Sequence, residues 1–113
     1  MKTKSMMLVV GLLLFSMTSL FANNMKTEKI KVYGKCESCK VRIEKAANSV
    51  IGVSKSSWDQ KDQMLTVTYD DAKTTSMKIE DAIAKVGHDT KNMKATDKSY
   101  NALPGCCHYD RPH

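Results

Sequence analysis

The chain has 113 residues, four cysteines and a formal net charge of +6. This length fits a single domain. Aromatic residues make up only 6% of the chain and the lysines are scattered, so the positive charge does not indicate a nucleic-acid-binding protein. A mildly basic surface instead keeps a domain soluble and steers it toward acidic partners.

The first 22 residues have the order of a secretory signal peptide. Residues 1–4 carry two lysines, residues 6–15 (MMLVVGLLLF) are apolar, and residues 16–22 are smaller and more polar, so we expect cleavage after Ala22. The alternative is an uncleaved membrane anchor, but the apolar run is short for a span of about 20 residues. We therefore expect a periplasmic or secreted protein with no stable membrane insertion after cleavage.

The chain that follows begins with a strand and a helix. Residues 23–27 are polar and are expected to fray, whereas residues 29–33 alternate charged and apolar side chains, as half-buried strands do. A short loop leads to a helix predicted at residues 39–50, with Ser38 placed to cap it. The apolar side chains of this helix recur with helical spacing at Ile43, Ala47 and Val50.

Two strands, a second helix and a last strand are predicted next. Residues 53–59 form a strand with Trp58 as its main buried group, and residues 64–69 form the clearest strand, because large apolar side chains alternate there with methionine and threonine. A second helix follows and ends at Gly87. Residues 88–94 indicate a weak edge strand. The apolar stripe of the second helix comprises Ile79, Ile83 and Val86.

The order of these elements predicts the fold class. Strand, helix, strand, strand, helix, strand, with one apolar stripe on each helix, favours an α+β domain. We expect the ferredoxin-like βαββαβ arrangement, an antiparallel sheet with two helices on one face.

The most informative local motif is the cysteine pair Cys36 and Cys39, which joins a strand to the start of a helix. Cysteines three positions apart can direct both sulfurs to one ion, and a helix N-terminus favours the thiolate form. Soft thiolates select Cu(I), Zn(II) and heavier soft ions over Mg²⁺ or Ca²⁺. An inert disulfide and thioredoxin-like redox chemistry are the alternatives for this pair.

The motifs around this pair resemble the heavy-metal-associated domain, a family that includes copper chaperones, domains of copper-transporting P-type ATPases and the periplasmic mercury-binding protein. The similarity runs over residues 27–94 and leaves residues 95–113 as a separate tail. It implies a ferredoxin-like fold and metal binding at Cys36 and Cys39. The matching segments are GKCESC at 34–39, VRIEKA at 41–46, Gly52-Val53, TVTYD at 66–70 and IxxAIxxVG at 79–87.

One position departs from the family pattern. Gly34-Lys35 stands where the family usually has Met-Thr or a similar pair before the first cysteine. The Lys35 stem can pack beneath the loop and place its ammonium near the thiolates, which would favour their deprotonated form. The alternative is a solvated lysine that does neither.

Four residues outside the cysteine pair are further candidate metal ligands: His88, Cys106, Cys107 and His108. His88 follows the second helix, in a loop that the resemblance places beside the metal loop, where it supplies a third ligand or a hydrogen bond, or is a surface histidine. The tail contributes Cys106, Cys107 and His108 after a turn at Pro104-Gly105. They form a second or supplementary metal site, by themselves or by folding back to the pair, or else a disulfide. Adjacent cysteines are not expected to direct both sulfurs to one ion.

These observations predict a binding and transfer protein rather than an enzyme, because no Ser/His/Asp set, phosphate loop or carboxylate pair is placed for catalysis. The leading hypothesis is an exported protein that sequesters Cu(I) and passes it to a metal-transporting membrane protein or another soft-ligand metalloprotein. The alternatives are a mercury(II) scavenger and a structural zinc protein that uses Cys36, Cys39, a tail cysteine and His108.

Overall fold

The computed structural model describes residues 24–112, so the predicted signal peptide lies outside the described part of the chain. Within that part, none of the helices is long and apolar enough to cross a membrane. The elements, in chain order, are β1 (Met25–Lys31), α1 (Glu37–Asn48), β2 (Val53–Asp59), β3 (Met64–Asp70), α2 (Ser76–Lys85), α3 (Asp97–Asn101) and a 3₁₀ turn (Gly105–Cys107).

The three strands form one antiparallel sheet in the order β1-β3-β2, as the alternating patterns predict. The strand β1 begins earlier than expected, at Met25. Its exposed first residues do not fray because they pair with the end of β3, where the hydroxyls of Thr27 and Thr68 lie 2.9 Å apart. Pairing across the sheet therefore ordered residues whose own sequence carries little strand signal.

The predicted fourth strand is reduced to a single bridge between Val32 and Thr90. The chain turns away immediately afterward, because the Thr90 amide donates to the Met93 carbonyl at 2.8 Å. The buried Glu80 carboxylate stabilises this turn by accepting from the Thr90 hydroxyl at 2.7 Å and from the Asn92 amide at 2.9 Å. The strand prediction for residues 88–94 was thus wrong in extent, while the α+β class is confirmed.

The core lies between the sheet and the two longer helices. Leu65 and Val67, on one face of β3, are fully buried, as are Ile43 of α1 and Ile83 of α2. These positions follow the predicted periodicities, two along the strand and three to four along the helices. Val86 is the exception: it lies beyond the end of α2 and is exposed.

The tail packs onto the domain, although its sequence has no periodicity. The Tyr109 hydroxyl accepts from the Asp89 amide at 2.7 Å and lies 2.9 Å from the Gly87 carbonyl, to which it donates. Arg111 forms two 2.8 Å hydrogen bonds with the buried Asp89 carboxylate. Leu103, Cys107 and Tyr109 join the core.

Gly87 makes room for the tail. Its φ of +107° is in the left-handed region, and a Cβ there would lie 2.8 Å from the Ser99 carbonyl oxygen and 2.9 Å from Leu103 Cδ2. Glycine at this position both ends α2 and allows the tail to approach the backbone closely.

Candidate metal centre

The cysteine pair lies where the loop after β1 enters α1. Cys36 occupies the N-cap position in an extended conformation, and its carbonyl accepts from the amides of Cys39 at 3.0 Å and Lys40 at 3.2 Å. The prediction that Ser38 caps this helix was wrong. The two sulfurs of the pair are 3.3 Å apart, with Cys36 half-buried and Cys39 fully buried.

The loop rests on Trp58, which holds it in place. The indole N–H donates to the Val32 carbonyl at 3.0 Å, and the Gly34 amide donates to the Gln63 side chain at 3.3 Å. A Cβ on Gly34 would lie 2.9 Å from the indole ring and 3.3 Å from Cys39 Cβ. The residue at position 34, two before Cys36, must therefore be small.

The tail brings its two cysteines to the pair. The Cys36 sulfur lies 3.4 Å from the Cys106 sulfur and 3.2 Å from the Cys107 sulfur. The two tail sulfurs are 3.9 Å apart, because the 3₁₀ turn directs both to the same side. The expectation that adjacent cysteines cannot direct both sulfurs to one point was wrong. In the described chain all four cysteines are free thiols.

Two residues that sequence reasoning did not assign to the site contact these sulfurs. The Ser38 hydroxyl lies 3.2 Å from the Cys36 sulfur, 3.3 Å from that of Cys106 and 2.9 Å from that of Cys107. Arg42 donates from Nη1 to the Cys107 sulfur at 3.3 Å. Their four-residue spacing places both on one face of α1, a signal visible in the sequence once that face is known to meet the tail.

Of the two alternatives for Lys35, the structure agrees with the solvated lysine. Its side chain is exposed, whereas Arg42 is the cation that donates a hydrogen bond to a sulfur. The positive charge at the site therefore comes from the first helix and not from the loop.

The thiols differ strongly in acidity. Burial raises the pKa of Cys36, but hydrogen bonds with Ser38, Cys107 and Cys39 outweigh burial and lower that pKa to about 6. Burial, followed by its contact with Cys107, raises the pKa of Cys39 to about 12. The Ser38 hydroxyl lowers the pKa of Cys106, but contacts with Cys36 and Cys107 leave that pKa above its ordinary value. The cluster therefore carries its first negative charge on Cys36 near neutral pH.

His88 is buried and is not a surface histidine. Its Nδ1 lies 2.8 Å from the Tyr33 carbonyl oxygen and donates to it, and its ring stacks on Tyr109 with centroids 5.4 Å apart. Burial lowers the pKa of His88, so the ring is neutral. Among the described residues its Nε2 has no hydrogen-bond partner.

The predicted ligands are not all brought together. In the described part of the chain, the group whose ligand atoms all lie within 4.8 Å of one another consists of Cys36, Cys106 and Cys107. His88 and His108 are not members of this group, and His108 is exposed and stacks on Tyr100 with centroids 5.1 Å apart. The zinc set that requires His108 is therefore not assembled.

Comparisons with known proteins identify the family of the segment that carries Cys36 and Cys39. Residues 35–89 match the heavy-metal-associated domain. The chain is 37% identical over 68 residues to the copper chaperone CopZ of Staphylococcus saprophyticus, covering 59% of this chain and 100% of that one. It is 38% identical over 53 residues to the mercuric transport protein periplasmic component of Pseudomonas aeruginosa, covering 47% of this chain and 58% of that one.

A much larger relative matches over a small part of its own length. A zinc-transporting ATPase of Synechocystis sp. is 33% identical over 73 residues, which are 64% of this chain but 10% of the ATPase. The chain thus spans about a tenth of that relative and less than two thirds of the mercuric component.

Solved structures have the same fold over nearly all of their own length. Oxidized MerP from Ralstonia metallidurans superposes with a TM-score of 0.57 at 34% identity, covering 59% of this chain and 94% of that one. The likeness extends over the whole length of the CopZ sequence and nearly the whole MerP structure, and it includes the segment that carries the cysteine pair. The chain therefore belongs to the heavy-metal-associated domain family.

Proposed function

We propose that this protein binds Cu(I) through Cys36 and Cys39 and transfers it to other soft-ligand proteins. The observation that carries the proposal is the placement of the two sulfurs, 3.3 Å apart at the start of α1. Thiolate ligands at a helix N-terminus favour a soft monovalent ion, since the helix dipole stabilises the negative charge of the complex. The similarity to the copper chaperone CopZ supports the choice of copper.

Transfer follows from the unequal burial of the two thiols. Cys39 is fully buried, whereas Cys36 is half-buried, so an incoming thiolate approaches the ion from the Cys36 side. A new metal–sulfur bond forms to the acceptor before the bond to Cys36 breaks, and the ion keeps its oxidation state throughout. Two-coordinate Cu(I) leaves room for this attack.

Mercury(II) is the second candidate cargo, because the chain is also similar to a mercuric transport protein periplasmic component. Mercury(II) is likewise a soft ion that thiolates bind in preference to oxygen ligands. Measuring how Cu(I) and Hg(II) compete for the cysteine pair distinguishes the two candidate cargoes.

We place the protein outside the cytoplasmic membrane, as the signal-like residues 1–22 predict. The acceptor in this proposal is a metal-transporting membrane protein or another soft-ligand metalloprotein, and the similarity to a zinc-transporting ATPase supports the former. The chain acts as a binding and transfer module and not as an enzyme.

The test is an anaerobic titration of the reduced protein with Cu(I), Hg(II) and Zn(II) in the presence of competing chelators. Cu(I) should bind most strongly when each ion is compared with its own competing chelator. Cys36→Ser should weaken Cu(I) binding by at least the roughly tenfold that loss of an outer-shell partner costs, and so should Cys39→Ser in a chain whose two tail cysteines are replaced by serine. Val41→Ala, an exposed change on α1, serves as the matched control and should bind as wild type does. Wild-type affinity in both cysteine variants would contradict the proposal, and tighter competition by Hg(II) would assign the mercury cargo.

A further inference from the structure

We propose that Cys36, Cys106 and Cys107 form a three-thiolate site for Cu(I), which shares Cys36 with the pair and retains the ion until an acceptor is present. This inference rests on the proposed function and adds a second binding mode to it. It assigns the tail a role as a metal ligand that the matching family region, residues 35–89, does not contain.

The distances between the three sulfurs suit one small ion. They are 3.2 Å, 3.4 Å and 3.9 Å in the metal-free chain. With metal–sulfur bonds of about 2.3 Å, three sulfurs in a plane around an ion lie about 4 Å apart. Each sulfur–sulfur distance therefore needs to lengthen by less than about 1 Å for the three thiolates to bind an ion in trigonal coordination.

The tail is held on both sides of its cysteines, so the site is preorganised. Before them, Leu103 packs against Gly87, and after them Tyr109 and Arg111 hydrogen-bond to Asp89. Ligands that are already in place lose little conformational entropy when the ion binds. Cys107 is fully buried and Cys106 is exposed, so the ion would be reached from the Cys106 side.

The surroundings compensate the charge of such a complex. Three thiolates and one Cu(I) carry a net charge of −2, and Arg42 lies 3.3 Å from the Cys107 sulfur. The Ser38 hydroxyl lies 2.9 Å from the same sulfur and can donate to it. Each tail thiol that binds the ion releases its proton to water, and no oxidant or reductant is needed.

A tetrahedral four-sulfur zinc site does not fit as well. Such a site requires all four sulfurs to lie about 3.8 Å from one another, for bonds of about 2.3 Å. Cys39 is outside the group of described residues whose ligand atoms all lie within 4.8 Å of one another. Three-coordinate Cu(I) needs only the three sulfurs that already lie together.

Sharing of Cys36 links retention to transfer. Its sulfur is 3.3 Å from that of Cys39 and 3.2 Å from that of Cys107. The ion can move from the pair to the three-thiolate site while it stays bound to Cys36: the bond to Cys39 breaks and bonds to Cys106 and Cys107 form. The two tail thiols release their protons to water and the freed Cys39 sulfur takes one up. The third thiolate occupies the position from which an acceptor would attack, so it slows release.

X-ray absorption on the reduced full chain, loaded with one equivalent of Cu(I), counts the sulfurs directly. We expect three per copper in wild type and two in the Cys106→Ser/Cys107→Ser double variant. Because Cys106 is exposed, the single variant Cys106→Ser should fold normally and also lose one sulfur. His108→Ala is the matched control, next to the cluster but outside it, and should keep three.

The same proteins are compared in transfer of Cu(I) to a two-thiolate acceptor peptide. Transfer should be about tenfold faster from the double variant, which corresponds to a barrier lowered by about 1.4 kcal/mol. Two sulfurs per copper in wild type would overturn the three-thiolate site while leaving the pair intact. Failure of the proposed function gives a different result, since wild type would then not hold Cu(I) against the chelator at all.

Discussion

Arg111 donates two hydrogen bonds to the buried carboxylate of Asp89, from Nε to Oδ2 and from Nη2 to Oδ1, each 2.8 Å long. Asp89 is 1% exposed and Arg111 is 16% exposed. The pair joins the end of the tail to the loop that follows α2. Together with Leu103 and Tyr109, it holds Cys106 and Cys107 beside the metal loop.

Replacing Arg111 by methionine should destabilise the fold by about 3 kcal/mol, because it leaves the Asp89 carboxylate buried without its cation. Urea unfolding of the metal-free, reduced protein measures this change in the free energy of unfolding. Lys98→Met is the control: Lys98 is an exposed tail residue, and its loss should change stability by less than about 0.5 kcal/mol. Equal stabilities for the two variants would show that the Arg111 contact is not needed to hold the tail.

Gly87→Ala should destabilise the protein by about 3 kcal/mol, from left-handed backbone strain together with steric overlap. The added Cβ would meet the Ser99 carbonyl oxygen and Leu103. Gly105→Ala is the matched control, since nothing lies within 4 Å of a Cβ there. Thermal unfolding should separate the two alanine variants clearly, and a wild-type melting temperature for Gly87→Ala would contradict the close approach of the tail.

His88 should make the stability depend on pH below its ordinary pKa of about 6.5. Burial lowers the pKa of His88 in the folded state, so the unfolded chain binds its proton first as the pH falls. Stability is therefore fully present above about pH 6.5 and is lost as the pH falls toward the folded pKa.

The variant His88→Asn isolates this effect, because its amide can still donate to the Tyr33 carbonyl but does not titrate. Between pH 7.5 and pH 5, wild type should lose more free energy of unfolding than the variant, up to about 2 kcal/mol for a folded ring that stays neutral throughout this range. His108→Asn, at an exposed position, should behave as wild type does. The same loss in wild type and His88→Asn would mean that another group causes the pH dependence.

Ser38→Ala should slow alkylation of Cys36 by iodoacetamide. Burial raises the pKa of Cys36 and the Ser38 hydroxyl is the largest influence that lowers it, so removing the hydroxyl reduces the thiolate fraction. For a hydrogen bond to a charged group of about 1.5 kcal/mol, the pKa rises by about one unit and the rate at pH 6 falls about fivefold.

Mass spectrometry of the reduced, metal-free protein identifies which cysteine is modified and how fast. Ser49→Ala is the control, because the Ser49 hydroxyl donates to the Ala46 carbonyl and not to a sulfur. An unchanged Cys36 rate in Ser38→Ala would show that the hydroxyl does not stabilise the thiolate.

Much of the fold could be predicted from local patterns. The alternation of Leu65, Val67 and Tyr69 marks a strand with one buried face, and Ile79 and Ile83 mark the inner side of a helix. The spacing of Cys36 and Cys39 at a strand-to-helix junction likewise indicates a soft-metal pair. These features depend on neighbours within one or two turns of the chain, so the sequence contains them directly.

Other features could not be predicted because they depend on contacts between distant residues. Cys36 and Cys107 are 71 positions apart, and Asp89 and Arg111 are 22 apart. The tail has no periodic pattern of apolar residues, because hydrogen bonds and a few buried side chains hold it in place instead of a regular helix or strand face. Arg42 has the spacing of a surface residue and becomes part of the site only because the tail packs against it.

The sequence by itself determined the strands and helices of the core and the cysteine pair, because periodicity and motif spacing act over short distances. Only the tertiary structure decided that the tail thiols meet Cys36, that Arg42 rather than Lys35 supplies the charge, and that the last predicted strand is a single bridge. Each of these depends on how separate elements pack. Packing is set by shape and by the satisfaction of buried polar groups, which no local pattern records.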